Sequence, residues 1–330
     1  MSACGENDLL VVGWVHHHTR NEGLASELGG RTAYVQWGPR GNPVVAVLRY
    51  VVQFAMTVGL LVRRRPKRVI CMLPPFPALM ACLLYSWVRR AVLVGDVHTY
   101  PLVSRTWRPF LGFTAWMLRR GRGAVVTNEA NASILRDLKV NTLVLDDTPV
   151  LVDGRETPPS TDRHLVVVPA SFDPDEPIEA ILEAAATAPD VEVVITGRDD
   201  TGRLNGLAVP GNVRLVGFVS REEYEGLLAD ATVVCSLTTL ENCMQQAGYE
   251  AMAWGRPLVT SDTYDLRNYF GEAALFTAPD AGAIAAAWTQ ALEQRAKLHA
   301  AMVTLGERKA AARPLEIADL RTLLGLPQTI

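Results

Sequence analysis

From Thr238 to Asp262 the chain reads TTLENCMQQAGYEAMAWGRPLVTSD, a segment that gathers polar residues where a helix should begin. Thr232–Leu237 before it is β-branched and apolar, as a buried parallel strand should be. Small and apolar residues then recur at helical spacing from about Met244 to Ala253, and Gly255 supplies a left-handed stop. A helix that starts at the carboxyl end of a parallel strand aims unpaired amides and a partial positive charge at a ligand, and a diphosphate suits that place. Asn242, Met244 and Gln245 stand at its mouth, and Glu250 lies further along, where a carboxylate can accept hydrogen bonds from both hydroxyls of a ribose. A nucleotide suits this set better than an inorganic anion; the alternative is an ordinary strand-loop-helix unit with Glu250 on the surface.

Other residues carry chemistry of the same kind. Gly95-Asp-Val-His-Thr-Tyr100 follows a buried strand, and Asp96 and His98 are two titratable groups suited to activating a hydroxyl acceptor. The competing reading makes Asp96 a loop cap and His98 a satisfied polar residue. Thr196-Gly197-Arg198 ends another strand in a glycine turn, and Gly217-Phe218 ends a third, where Phe218 can simply be core. Arg20 follows the first strand and offers a second guanidinium. His16, His17 and His18 are adjacent, so their side chains diverge, and no acidic pair accompanies them; no metal is expected.

Positioning these groups requires alternating strands and helices. Short apolar runs at Leu9–Trp14, Tyr34–Trp37, Val69–Leu73, Ala91–Gly95, Ala124–Thr127 and Thr142–Leu145 predict one parallel sheet. A second set begins at His164–Val168, continues through Val191–Thr196 and Val213–Val216, and ends with the segment above, Pro257–Thr260 and Ala274–Phe276. Ser220-Arg-Glu-Glu223 predicts a capping box. The polar, proline-containing stretch 151–163 reads as a linker, which gives domains 1–150 and 164–312, with 313–330 as a tail whose residues Leu315–Leu324 form a last helix after Pro314.

Glu250-Ala-Met-Ala-Trp-Gly-Arg-Pro-Leu-Val-Thr-Ser-Asp262 resembles the donor-site signature of GT-B glycosyltransferases, particularly glycosyltransferase family 4. That signature places a first Glu eight residues before the second. Here Glu241 is nine residues before Glu250, so Asn242 takes the sugar-contacting place, as in an exopolysaccharide-type branch with Asn or His before x-Met-Gln. Leu73-Pro-Pro75, Asp96-Val-His98-Thr99 and Val126-Thr-Asn128-Glu129 extend the resemblance weakly into the first half.

The resemblance implies an α/β GT-B fold: two Rossmann-like domains with parallel sheets facing a central cleft, and a C-terminal helix crossing back to the first domain. The activity implied is transfer of a sugar from a nucleoside diphosphate sugar to a hydroxyl on a glycan, a polyprenyl-linked intermediate or a small molecule. Arg20, Gly197, Arg198, Phe218, Glu241, Asn242, Met244, Gln245 and Glu250 would bind the donor, with no metal and no other cofactor. In an inverting transfer Asp96 takes the acceptor proton; in a retaining one Asp96 and His98 orient the acceptor, because the leaving phosphate can receive that proton. The same fold hosts nucleotide-sugar epimerases, and a non-catalytic nucleotide-sugar-binding partner of another transferase is a third reading.

Bulk properties narrow the classes further. With 330 residues, 49% apolar, and a net charge of −3, the chain is expected to fill two cores and to have no nucleic-acid partner. Cys4, Cys71, Cys82, Cys235 and Cys243 form no CxxC pair, the N-terminus shows no signal peptide, and no unbroken apolar run reaches the roughly 20 residues of a spanning helix, so a cytoplasmic protein is expected. Two basic and apolar stretches, Tyr50–Arg68 and Arg105–Arg120, suit peripheral contact with anionic lipid; alternatively they are core-facing helices with arginines at their ends.

Overall fold

The computed structural model describes residues 8–38, 43–147, 150–159 and 164–328; Cys4 and residues 160–163 of the expected linker lie outside them. Contacts divide the chain into one unit of residues 1–146 and 314–330, and a second of residues 147–313.

Unit 1 runs β1 (Leu9–Gly13), α1 (Thr19–Glu27), β2 (Arg31–Tyr34), α2 (Pro43–Arg64), β3 (Arg68–Leu73), α3 (Phe76–Arg89), β4 (Val92–Val97), α4 (Tyr100–Val103), α5 (Leu111–Arg120), β5 (Gly123–Val126), α6 (Glu129–Asp137) and β6 (Thr142–Val144). All its strand pairs are parallel, in the order β2-β1-β3-β4-β5-β6. One sheet face packs against α2, α3, α5 and α6, and the other against α1 and the chain's C-terminal residues Leu320 and Leu324. Gly95 lets α5 approach β4 closely, since a Cβ there would stand 2.3 Å from the Leu118 side chain.

Unit 2 contains β7 (Leu165–Pro169), α7 (Ile178–Thr187), β8 (Glu192–Thr196), β9 (Val213–Gly217), α8 (Arg221–Asp230), β10 (Val233–Ser236), α9 (Gln246–Ala253), β11 (Leu258–Ser261), α10 (Tyr264–Phe270), β12 (Ala274–Thr277), α11 (Ala281–Glu293) and α12 (Arg295–Leu324), whose last turns belong to unit 1. Its sheet is also parallel, in the order β12-β11-β10-β7-β8-β9. Helices α7 and α11 cover one face, while α8, α9 and α10 cover the other. These are two Rossmann-like α/β units, as the alternating pattern predicts. Ser220 caps α8 through the full reciprocal box with Glu223.

Four expectations need correction. Strand β2 lies at Arg31–Tyr34 rather than 34–37, because its register against β1 ends at Gly13 opposite Tyr34, after which the chain leaves the sheet with Trp37 partly in solvent. Pro314 does not separate two helices: α12 passes through it, and since Pro314 is exposed, water can serve the carbonyl that its missing N–H leaves free. The stretch after residue 150 is no free tether, since the Val152 amide donates to Ala253 O and the Gly255 turn closes on the Arg155 carbonyl. Finally, the twenty residues Val45–Arg64 of α2 are long and apolar enough by length and composition to cross a membrane, because the helix continues through Arg49 and Gln53, which break the apolar run in sequence.

Gly95→Ala is expected to lower the stability of unit 1 by about 1–3 kcal/mol, the usual cost of overpacking a filled core. Urea unfolding followed by circular dichroism measures it, and an unchanged midpoint would refute the close approach.

Candidate active site

The strand order of the unit 2 sheet reverses between β10 and β7, so the loops leaving their carboxyl ends flank the switch point at which α/β sheets bind ligands. Hydrogen bonds tie those loops together. Thr238 Oγ1 donates to Asp175 Oδ2 at 2.6 Å, the Thr239 amide donates to Asp175 O at 2.8 Å, and the Thr238 amide donates to Ser261 Oγ of β11 at 2.8 Å.

The two loops differ in what their backbone amides offer. After β7, Phe172 has φ +57°, and the amides of Ser171 and Phe172 converge on the carboxylate of Glu176 at 3.0 and 2.7 Å. This anion-binding concavity is already filled by the chain's own carboxylate. Burial raises the Glu176 pKa, an effect that these hydrogen bonds partly offset. After β10 no carboxylate among the described residues fills the amides in this way. Helix α9 begins at Gln246, two residues later than periodicity predicts, because Asn242 has φ +59° and Gln245 is extended. No side chain caps α9, so its first amides are open to a ligand.

Donor-site residues fall into distinct environments. Gln245 is committed to the loop itself: its Oε1 accepts from Ser236 Oγ at 3.0 Å and its Nε2 donates to Leu237 O at 2.9 Å. Met244 is half-buried and packs on the core under α8 and α9, Asn242 is half-buried, and Glu241 is exposed. Glu250 is half-buried on α9, where burial raises its pKa and hydrogen bonds from Tyr224 and Gln246 oppose the rise. Tyr224 donates its hydroxyl to Glu250; burial and then that carboxylate push the phenol upward.

Gly197, at φ +104°, is a position only glycine can fill, because a Cβ would stand 1.8 Å from Ala170 O. Arg198 pairs with Asp200 at 2.8 Å, and both are largely exposed. Phe218 is 83% exposed, so it is not a core residue. Asp265 was not singled out by sequence; it is 6% exposed, has one oxygen without a partner, and carries a pKa raised by burial and then by Glu241.

In unit 1 the expected arrangement changes. Arg20 is 4% exposed; its Nε donates to Asp96 Oδ1 at 3.0 Å and its Nη2 to Leu145 O at 2.9 Å. The guanidinium is therefore committed to the protein rather than available beside a phosphate. His98 Nε2 lies 3.4 Å from Asp96 Oδ2 with its side chain 21% exposed, whereas the Asp96 side chain is 1% exposed. The His18 ring meets the His98 ring edge-on at 5.0 Å. Burial works against ionising Asp96, but Arg20 and His98 outweigh it and hold the carboxyl far below the usual carboxylate range. So acidic a group is a poor proton acceptor at neutral pH. Among the described residues, no group of three or more His, Cys, Asp or Glu is placed to hold a metal ion.

Residues 166–294 match the profile of a family described as "Glycosyl transferases group 1". Sucrose-phosphate synthase from Thermosynechococcus elongatus is similar in structure, with a TM-score of 0.71 at 17% identity over 96% of this chain and 99% of that one. HepE from Anabaena, solved with UDP-glucose, gives a TM-score of 0.70 at 13% identity over 94% and 91%. The matched segment lies within unit 2, and the likeness of these structures, each below 25% identical, is one of fold. UDP-GlcNAc 2-epimerase from Neisseria meningitidis, solved with UDP-GlcNAc, shares the GT-B architecture at a TM-score of 0.64 and 14% identity over 96% and 99%. No curated protein matches the chain in sequence.

Arg20→Met strands a buried carboxylate and is expected to cost about 3–5 kcal/mol at neutral pH. Because the folded pKa of Asp96 is depressed, the native pair contributes above the unfolded value of 3.8 and its contribution fades as pH falls through the folded one. Without Arg20, burial raises that pKa, so the gap between variant and wild type should narrow on acidification. Thermal unfolding across mildly acidic to neutral pH tests the sign.

Proposed function

We propose that the chain is a glycosyltransferase that binds a nucleoside diphosphate sugar in unit 2 and moves the sugar to an acceptor hydroxyl. The observation that carries this reading is the uncapped N-terminus of α9 at the switch point, with Glu250 further along the same helix. The match of residues 166–294 to a transferase family supports it, as do relatives of the same fold solved with UDP-glucose and UDP.

In this mechanism the α9 amides receive the diphosphate as its charge develops, and Arg198 reinforces them. Its pair with Asp200 is solvent-exposed and of the kind worth only about 0–1 kcal/mol, so exchanging that carboxylate for phosphate costs little. Glu250 accepts hydrogen bonds from the ribose hydroxyls, for which the Tyr224 hydroxyl must move aside or share. The exposed Phe218 offers a face to the base, and Asn242 and Glu241 contact the sugar. Fixed amide dipoles and a guanidinium take the role that a divalent cation plays elsewhere, so transfer should survive EDTA. His98 accepts the proton of the attacking hydroxyl while Asp96, held ionised by Arg20, fixes the imidazole. The acceptor is a glycan, a polyprenyl-linked intermediate or a small molecule.

A second reading, nucleotide-sugar epimerisation, is favoured by the fold shared with the Neisseria enzyme. The two part on product: an epimerase makes a new nucleotide sugar with no acceptor present, whereas a transferase releases free nucleotide.

Titrating UDP, GDP and dTDP and their sugars by calorimetry should find one tight nucleotide. Glu250→Gln should weaken it about tenfold, equivalent to about 1.4 kcal/mol. His98→Ala should lower kcat by about 10²–10⁴ with nucleotide affinity unchanged. Nucleotide binding indifferent to Glu250 would overturn the donor assignment.

A further inference from the structure

Helix α2 is polar on the wrong side. Its buried face carries Gln53 and Thr57: Gln53 Nε2 donates to Val35 O at 2.8 Å, and Thr57 Oγ1 accepts from the Trp14 indole at 2.9 Å while donating to Gln53 O at 2.7 Å. Its outward face instead presents Val47, Leu48, Val51, Met56 and Val62, with Val51 61% exposed. Helix α3, which packs against α2, repeats the pattern at helical spacing with exposed Met80, Leu84, Trp87 and Val88. Trp87 then meets Trp116 of α5 edge-on at 6.1 Å, and Trp116 stacks on the exposed Phe113 at 5.6 Å. Three neighbouring helices thus share one continuous apolar exterior, where isolated exposed apolar residues would need no explanation.

Charge frames this exterior. From Leu28 to Asn128 the chain has fifteen lysines and arginines and one acidic residue, the buried Asp96, although the whole protein has a net charge of −3. All three helices return antiparallel to their strands, so their C-terminal ends lie along one edge of unit 1. That edge carries Arg63, Arg64 and Arg65 at the end of α2, Arg89 and Arg90 at the end of α3, and Arg119 and Arg120 at the end of α5, all exposed. No carboxylate in α2, α3 or α5 answers them.

We propose that the outward face of α2, α3 and α5 docks onto an anionic phospholipid leaflet, with the aliphatic and aromatic side chains at the acyl boundary and the arginine edge on the headgroups. A centre of aliphatic and aromatic side chains matches the acyl boundary, and arginines with no carboxylate in their own helices match lipid phosphate. The face lies flat rather than spanning, because α2 is anchored to the sheet by Gln53 and Thr57. The inference is independent of the transferase reading; it concerns where the protein sits, whatever it transfers.

The test is co-sedimentation of the full chain with vesicles of phosphatidylcholine alone or mixed with phosphatidylglycerol, at low and high salt, with light scattering for oligomeric state. Binding is expected to the mixed vesicles at low salt and to be released by high salt. It should weaken about fivefold for each of Arg63, Arg64 and Arg65 replaced by Ser. Val51→Glu with Val88→Glu should abolish it while the thermal transition holds, since both side chains already face solvent. Failure to bind at low salt would overturn the proposal, as would binding that is equal on neutral vesicles or resists both salt and alkaline carbonate. A dimer that the glutamate variant splits, without vesicle binding, would assign the face to a second copy.

Discussion

Backbone amides at the carboxyl ends of parallel strands must find acceptors, and the way unit 2 meets that requirement sets its chemistry. The amides after β7 are answered from within by Glu176, whereas those opening α9 receive no side-chain cap. A fold with two equivalent anion cradles at one switch point would bind an anion ambiguously. With one filled by Glu176, the amides opening α9 are left without a side-chain cap, and the Thr238–Asp175 hydrogen bond keeps the two loops in fixed relation.

Unit 1 places its polar chemistry on a buried ion pair. Removing Arg20 and Asp96 from water is unfavourable for each alone; together with the Leu145 carbonyl they are satisfied. The consequence is a division of labour: the interior carboxylate stays charged and immobile, and the histidine beside it keeps an exposed edge. Arg20 connects the start of α1 to the ends of β4 and β6, so one side chain both assembles that rim and sets its electrostatics.

Much of this was legible in the sequence because it is local. Glu250, Gly255, the Ser220–Glu223 box and the strand runs are separated by few residues, and 3.6- and 2-residue periods report them directly. What escaped reading depends on long-range contact or side-chain direction. Arg20 and Asp96 are 76 residues apart, and nothing in either neighbourhood names the other. Gln245 looked like a ligand group because its type and position were right, yet its amide folds back onto Ser236 and Leu237. The acids of Ser171–Pro177 were visible, but not that Glu176 occupies the amides that would otherwise cradle phosphate. The basic character of residues 28–128 was also in plain view, averaged away by acids elsewhere in the chain.

The Trp14–Thr57–Gln53 contacts also settle a question that α2 poses for folding. A helix coated with hydrocarbon on nearly every side gains almost the same solvent exclusion at any rotation about its long axis, so the hydrophobic effect alone leaves its azimuth undecided. Two buried polar groups that must each reach a fixed partner break that degeneracy, and the rotamer-like setting of an entire helix follows from two hydrogen bonds.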